Sequence, residues 1–232
     1  LIKVSTVMKK NNDLSIPEFH DYWLNEHADI AMRTPSWFKY MRKYVQSHTL
    51  HALHPVHKPA YDGVAHFWVD SVESFLEWSR LPELNVVAAD TKKLVEQDKL
   101  IRLFTNEVEK YSTPNWEQKS KIKRISFIKK SKNISVKEFH DHWSNYHSQL
   151  VINRPWWKHC NRYVQNHIQY DAYPPGESPL GYNGFAEIWF DSLEEFNQWQ
   201  AGHLDDEAVI ADEKNLVDKV DTFFTYEVRK QL

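Results

Sequence analysis

A chain that states one pattern twice has to fold that pattern twice. Here Ile2-Lys3, then Phe19-His20-Asp21-Tyr22-Trp23 and His27, return about 120 positions later as Ile122-Lys123, Phe139-His140-Asp141-His142-Trp143 and His147. The echo continues with Tyr44-Val45-Gln46-Ser47-His48 against Tyr163-Val164-Gln165-Asn166-His167, and Phe67-Trp68-Val69-Asp70-Ser71 against Ile188-Trp189-Phe190-Asp191-Ser192. The 232 residues therefore read as two small domains, 1–110 and 122–232, joined by a linker at 111–121. Any function has to place two similar sites.

Each repeat offers the same series of elements. Ile2 to Met8 alternates like a strand, and Ser15 precedes Glu18 at capping-box spacing, with Pro17 in the first helical turn. The helix ends before Pro35. A second strand is expected at about Tyr40 to Thr49, and a third ends at Val69. Asp70-Ser71 caps a helix with Phe75 and Trp78, more helix covers Val86 to Val95, and Leu100 to Val108 forms the last strand. The second copy repeats this, with Ser135 and Glu138, Asp191-Ser192, and a last strand from Val220 to Val228. The order βαββαβ is the ferredoxin-like unit, an α+β fold whose helices cover one sheet face. Its bare face has to be buried by another sheet, so the two repeats are expected to pair within the chain into one α+β barrel, an intrachain pseudo-dimer.

Composition excludes several function classes. The formal net charge is −3 with both signs interspersed, and no basic stripe suits nucleic acid as a partner. The longest apolar run, Val86-Val87-Ala88-Ala89 with its neighbours, is far too short to span a membrane. A single Cys160 rules out an internal disulfide and fits a reducing compartment, so a cytoplasmic protein is expected. Aromatic residues make up 14% of the chain, enough for each half to build a core although only five Gly occur. With so few Gly, no phosphate-cradling loop or dinucleotide fingerprint is present.

On the first helix Phe19, Trp23, His27 and Ile30 fall on one stripe, which turns His27 toward the sheet; Phe139, Trp143, His147 and Leu150 repeat it. Such a histidine is either a hydrogen-bonded core residue or an acid–base group. Tyr44, Gln46 and His48 alternate on the second strand, as do Tyr163, Gln165 and His167. These trios read either as a polar cross-strand ladder or as pocket lining. His66 with Trp68, and Glu187 with Trp189, share a face of the third strand. Periodicity does not say which face of the sheet each set occupies. His20 and His140 sit at the edge of the helical stripe. His48, His51, His54 and His57 invite a metal reading, but no Cys stands near and Tyr170 and Tyr173 replace His51 and His54, so no metal site is assigned.

Taken together, Phe19 to His27, Tyr44 to His48 and Asp62-Gly63 to Trp68, with their second-copy counterparts, make the chain resemble the EthD family over nearly its whole length. The resemblance implies a dimeric α+β barrel. It also places the family's helix histidine at His27 and His147, followed here by Ala28-Asp29-Ile30 and Ser148-Gln149-Leu150 where members commonly carry a Gly-Pro-Leu-like stretch. Relatives in the wider barrel superfamily include cofactor-free cyclases, decarboxylases, dehydratases, isomerases and oxygenases, and haem-binding enzymes.

The expectation is a cofactor-independent lyase or isomerase, in which an inward His acts as general acid or base on a small hydrophobic aromatic, phenolic or polyketide-like carbonyl compound. His27, His147, Tyr44, Tyr163, His48 and His167 are the catalytic candidates. Trp23, Trp143, Gln46, Gln165, His66, Glu187, Trp68 and Trp189 are the substrate-binding ones. Two alternatives stay open: a haem protein or monooxygenase with His27 or His147 as axial ligand, and a binding protein without turnover. The exchange of His66 for Glu187 says that the two sites are not equivalent.

Overall fold

The computed structural model describes residues 1–54, 58–173 and 181–230. These fall into two compact units, 1–106 with 169–173 and 227–230, and 107–168 with 181–226. The first contains β1 (Ile2–Met8), α1 (Ile16–Tyr22), α2 (Ala28–Met32), α3 (Trp37–Tyr40), β2 (Lys43–Thr49), β3 (Gly63–Val69), α4 (Val72–Trp78), α5 (Asn85–Leu94) and the start of β4 (Ile101–Ser112). The second contains α6 (Trp116–Lys119), β5 (Ile122–Lys130), α7 (Val136–His142), α8 (Ser148–Ile152), β6 (Arg162–Ile168), β7 (Gly184–Phe190), α9 (Leu193–Leu204), α10 (Glu207–Leu216) and most of β8 (Val217–Lys230). The span expected as a linker thus holds the end of β4 and the short helix α6.

In the first unit β1 pairs antiparallel with both β3 and β4, and β2 pairs with β3, giving the order β4-β1-β3-β2. The second unit repeats this as β8-β5-β7-β6. Over the whole chain the strand order closes as an eight-stranded barrel, β1-β3-β2-β8-β5-β7-β6-β4. Among the described residues no helix is long and apolar enough to cross a membrane.

Local signals explain where the helices start. Ser15 Oγ accepts from the Glu18 amide at 3.3 Å while Glu18 Oε2 accepts from the Ser15 amide at 2.8 Å, and Ser135 and Glu138 do the same. Ser71 and Ser192 cap α4 and α9. The second strand begins later than alternation suggests. Trp37 to Tyr40 form the helical turn α3, which buries Trp37 and Tyr40 before β2 starts at Lys43.

One feature of the first helix escapes a spacing argument. Between α1 and α2 the chain makes a π-turn at Trp23–His27, with the Ala28 amide donating to the Trp23 carbonyl five residues back; Trp143–His147 makes the same turn between α7 and α8. A π-turn holds one residue more than an α-turn, so the face presented to the core advances by one position. The stripe therefore continues from His27 to buried Ala31, not to Ile30, and from His147 to buried Val151, not to Leu150.

The glycine that opens each third strand has a steric cause. A Cβ on Gly63 would lie 2.5 Å from Cζ3 of Trp23, and one on Gly184 would lie 2.6 Å from the same atom of Trp143. No side chain fits there. The helix tryptophan is seated directly on the strand backbone, which fixes the height of the π-turn above the sheet.

Candidate functional site

Each unit encloses a cavity between its helices and the helix-facing side of its sheet. The first, about 170 Å³, is lined by Trp23, His27, Ala31, Trp37, Tyr44, Phe67 and Trp78 among others. The second, about 280 Å³, is lined by the counterparts Trp143, His147, Val151, Trp157, Tyr163, Ile188 and Trp199. The helix histidine reaches the cavity in both cases.

The histidine does not stand alone there. Nδ1 of His27 lies 2.8 Å from Oδ2 of Asp90 on α5, and Nδ1 of His147 lies 2.8 Å from Oδ2 of Asp212 on α10. A carboxylate only accepts, so Nδ1 carries the proton and Nε2 is left for a ligand. Burial raises the Asp90 carboxyl, but hydrogen bonds from Tyr22 and His27 outweigh it and hold the group below its ordinary range. Asp212 is held down in the same way by His147 and His142. The second partner of each carboxylate differs: the Tyr22 hydroxyl at 2.6 Å on Asp90, and His142 Nε2 at 2.5 Å on Asp212. The bond to Asp90 pushes Tyr22 up to about 12.

The strand trio holds the π-turn in place. Gln46 Nε2 donates to the Trp23 carbonyl at 3.0 Å and to the Tyr44 hydroxyl at 2.9 Å, and that hydroxyl also accepts from Trp23 Nε1 at 3.2 Å. Gln165 serves the Trp143 carbonyl and Tyr163 likewise, both at 2.8 Å. The carbonyl that accepts the bond closing the π-turn is thus also met by a buried glutamine, which ties the turn to the strand. Burial pushes the Tyr44 hydroxyl up to about 12 and Tyr163 in the same direction. Tyr44 and Tyr163 reach the cavity as neutral hydroxyls.

His48 and His167 lie on the same face but behind the tryptophan, outside the cavity lining. His48 packs 4.3 Å from Trp23 and 4.9 Å from His20, centroid to centroid, with Nε2 at 3.1 Å from Gln46 Oε1. His167 repeats this against Trp143 and Gln165, with His140 Nδ1 at 2.9 Å from its Nδ1. Burial, helped by the neighbouring histidine, pushes both down to about 3, so both are neutral at pH 7.

His66 and Glu187 go elsewhere. The cavity takes Ala65 and Phe67 of β3 and Ala186 and Ile188 of β7, so His66, Trp68, Glu187 and Trp189 occupy the opposite face of the sheet. There His66 bridges Ser5 Oγ at 2.8 Å and Ser47 Oγ at 3.1 Å, while Glu187 accepts from Lys123 Nζ at 2.8 Å and Asn166 Nδ2 at 3.0 Å. The expected grouping of these four with the helix histidine is corrected by strand pleat.

Around the loop after β2, His51 Nε2 is 3.2 Å from Asp62 Oδ1, and His57 lies outside the described residues. Among the described residues no cluster of His, Cys, Asp and Glu is placed to hold a metal ion. Cys160 is buried, which pushes its thiol up and leaves it inert.

Spacing did not single out Asp90, Asp212, Trp37 and Trp157, nor the polar wall of the second cavity. That wall contains Arg124, and His203 with Nε2 at 3.0 Å from Glu213 Oε1.

The sequence profile of the EthD domain matches residues 11–98 and 131–220, one match in each repeat and together more than half of the chain. The chain belongs to the EthD family. A search of curated protein sequences finds no match. Solved structures share the fold at low identity. One described as an anthrone oxidase-like protein is 8% identical with a TM-score of 0.69, over 99% of this chain and 92% of that one. A mutant chlorite dismutase from Candidatus Nitrospira defluvii is 9% identical with a TM-score of 0.55, over 100% of this chain and 91% of that one. Both likenesses cover the tandem barrel of this EthD chain as a whole.

The haem alternative turns on whether such a group fits here. The His147 cavity, about 280 Å³, lies just below the range of about 300–1,000 Å³ that holds drug-sized ligands, and a porphyrin exceeds these. The ring nitrogen left by Asp212 is a competent ligand atom, but a cavity of about 280 Å³ does not hold a whole haem.

Proposed function

We propose that this EthD protein is a small-molecule enzyme working by proton transfer, with His147 of the second repeat as general base or acid on an aromatic, phenolic or polyketide-like carbonyl compound. The observation that carries this reading is the Asp212–His147 pair, which commits Nδ1 and presents Nε2 to an aromatic cavity. Asp212 sets the tautomer and stabilises the imidazolium formed when Nε2 takes a proton. Trp143, Trp157 and Trp199 exclude water from the bound ring, and the neutral Tyr163 hydroxyl is available to the substrate's oxygen. Such a transfer suffices for lyase or isomerase chemistry. The first-repeat cavity, about 170 Å³, has the same pair but little room, and is assigned the lesser role.

The test needs no known substrate. In deuterated water, exchange of the acidic ring-methylene protons of 2-tetralone, a two-ring ketone, is followed by proton NMR. The intact protein is expected to accelerate exchange, His147→Ala to lower it by about 10²–10⁴-fold, and His27→Ala to leave most of it. No acceleration, or acceleration untouched by either substitution, overturns the reading and leaves both histidines as core residues.

A further inference from the structure

The second cavity holds a cation that the proton-transfer reading does not use. Arg124 of β5 lines it, half-buried, with its guanidinium carbon 5.2 Å from the Trp199 ring and Nη2 3.5 Å from Thr222 Oγ1. Among the described residues no carboxylate lies within ion-pair distance of it. Glu213, the carboxylate lining the same cavity, is taken by His203 at 3.0 Å. A half-buried guanidinium with one long hydrogen bond keeps most of its five donors unspent. Desolvation disfavours its charge, and Glu213 offsets this only from a distance. An anion entering the cavity gains what the protein leaves unmet.

The first cavity makes the comparison independent. By register, Arg124 stands opposite Phe224 where Val4 stands opposite Phe104, and Thr222 opposite Ser126 where Arg102 stands opposite Thr6. The guanidinium has changed strands. Arg102 of β4 lines the first cavity with its carbon 5.2 Å from Phe75, again with no carboxylate at ion-pair distance among the described residues. Each cavity thus carries one guanidinium resting on an aromatic ring of the covering helix, but Arg102 is exposed and Arg124 is partly enclosed.

We propose that the second cavity binds a two-ring aromatic carboxylate, its carboxylate held by the fork of Arg124 and its rings against the wall that Trp157 and Trp199 form. Planar two-point pairing with a carboxylate is what a guanidinium does best, and about 280 Å³ suits two fused rings better than a larger system. The proposal deepens the proton-transfer reading by naming the acid that the His147 cavity accepts.

Calorimetric titration with 2-naphthoate and 2-naphthamide, which share the ring and differ in charge, tests it on the full chain. The carboxylate is expected to bind about 10–100-fold tighter than the amide. Arg124→Gln should bring the ratio to about one, Arg124→Lys should restore part of it, and Arg102→Gln should leave it. Equal binding of the two compounds, or a ratio that survives Arg124→Gln, overturns the proposal. If the ratio depends on Arg124 while 2-tetralone exchange ignores both histidines, the anion site stands and the proton-transfer reading falls. Should Arg124→Gln fail to fold, the charge-keeping Arg124→Lys decides alone, since loss of the two-point fork must still lower the ratio.

Discussion

The two cavities share a histidine–aspartate pair and its aromatic wall at matching places in the repeat, and differ in their polar lining and their volume. In the first, Val87, Leu84 and Phe75 narrow a chamber of about 170 Å³ whose guanidinium, Arg102, is exposed; in the second, the partly enclosed Arg124, with Glu213 and His203, enters a chamber of about 280 Å³. The pair itself follows from the fold, since the π-turn and the glycine beneath its tryptophan carry it into both halves. Chemistry has to be sought in what the repeats do not share. A shared pair with a different polar lining is the pattern expected where one site works and its twin supports the barrel.

Replacing the carboxylates tests that division most strongly. Asp212→Asn keeps the shape but lets Nδ1 lose its assigned proton, and 2-tetralone exchange should fall by up to about 10⁴-fold, as when the orienting carboxylate of a catalytic triad is neutralised. Asp90→Asn should change it little. Equal losses would erase the distinction between the cavities.

Acid should act on both halves alike. His48 and His167 are pushed down to about 3 in the folded chain from an ordinary value of 6.5, so the unfolded chain binds more protons between these limits. Stability from these groups is fully present above pH 6.5 and is lost as pH falls from there toward 3, each contributing a slope of about 1.4 kcal/mol per pH unit. Urea unfolding from pH 7.5 to 4.5 measures it. His48→Asn and His167→Asn should each remove a similar part of the slope; a slope carried by one residue would show that the two tryptophan seats differ.

The smallest expected effect is steric. Gly63→Ala and Gly184→Ala each place a methyl within 2.5 or 2.6 Å of a tryptophan ring, and each should cost about 1–3 kcal/mol in thermal or urea unfolding. Only Gly184→Ala should also slow 2-tetralone exchange, because the displaced Trp143 carries His147 with it.

Much of this was legible in the sequence. Duplication, capping boxes and two periodicities are local signals, and they lead to βαββαβ without help from tertiary contacts. The inward aim of His27 and His147 is legible for the same reason. Face assignment on the strands is not, because β2 is buried on both sides and its alternation is erased. Gln46 and His66 look equally interior, and only the pleat in place separates them. Asp90 and Asp212 do carry a signal in the sequence. Each interrupts an apolar stripe, Val87-Asp90-Leu94 and Val209-Asp212-Leu216, at spacings of three and four, and a carboxylate facing a core twice needs a partner there. The π-turn left no such trace, since a spacing of four suits either kind of turn.

That turn behaves as a hidden insertion. Counted along the chain, nothing is added; counted around the helix axis, every residue after His27 or His147 is one place out of phase with those before it. Deleting one residue, Asn25 or Asn145, would restore a regular helix with Ala31 or Val151 still toward the sheet, whereas straightening the turn at full length would bring Ile30 or Leu150 there instead. The reading frame of the helix surface, set by a single surplus residue, therefore decides whether Ala31 or Ile30, and Val151 or Leu150, meets the sheet.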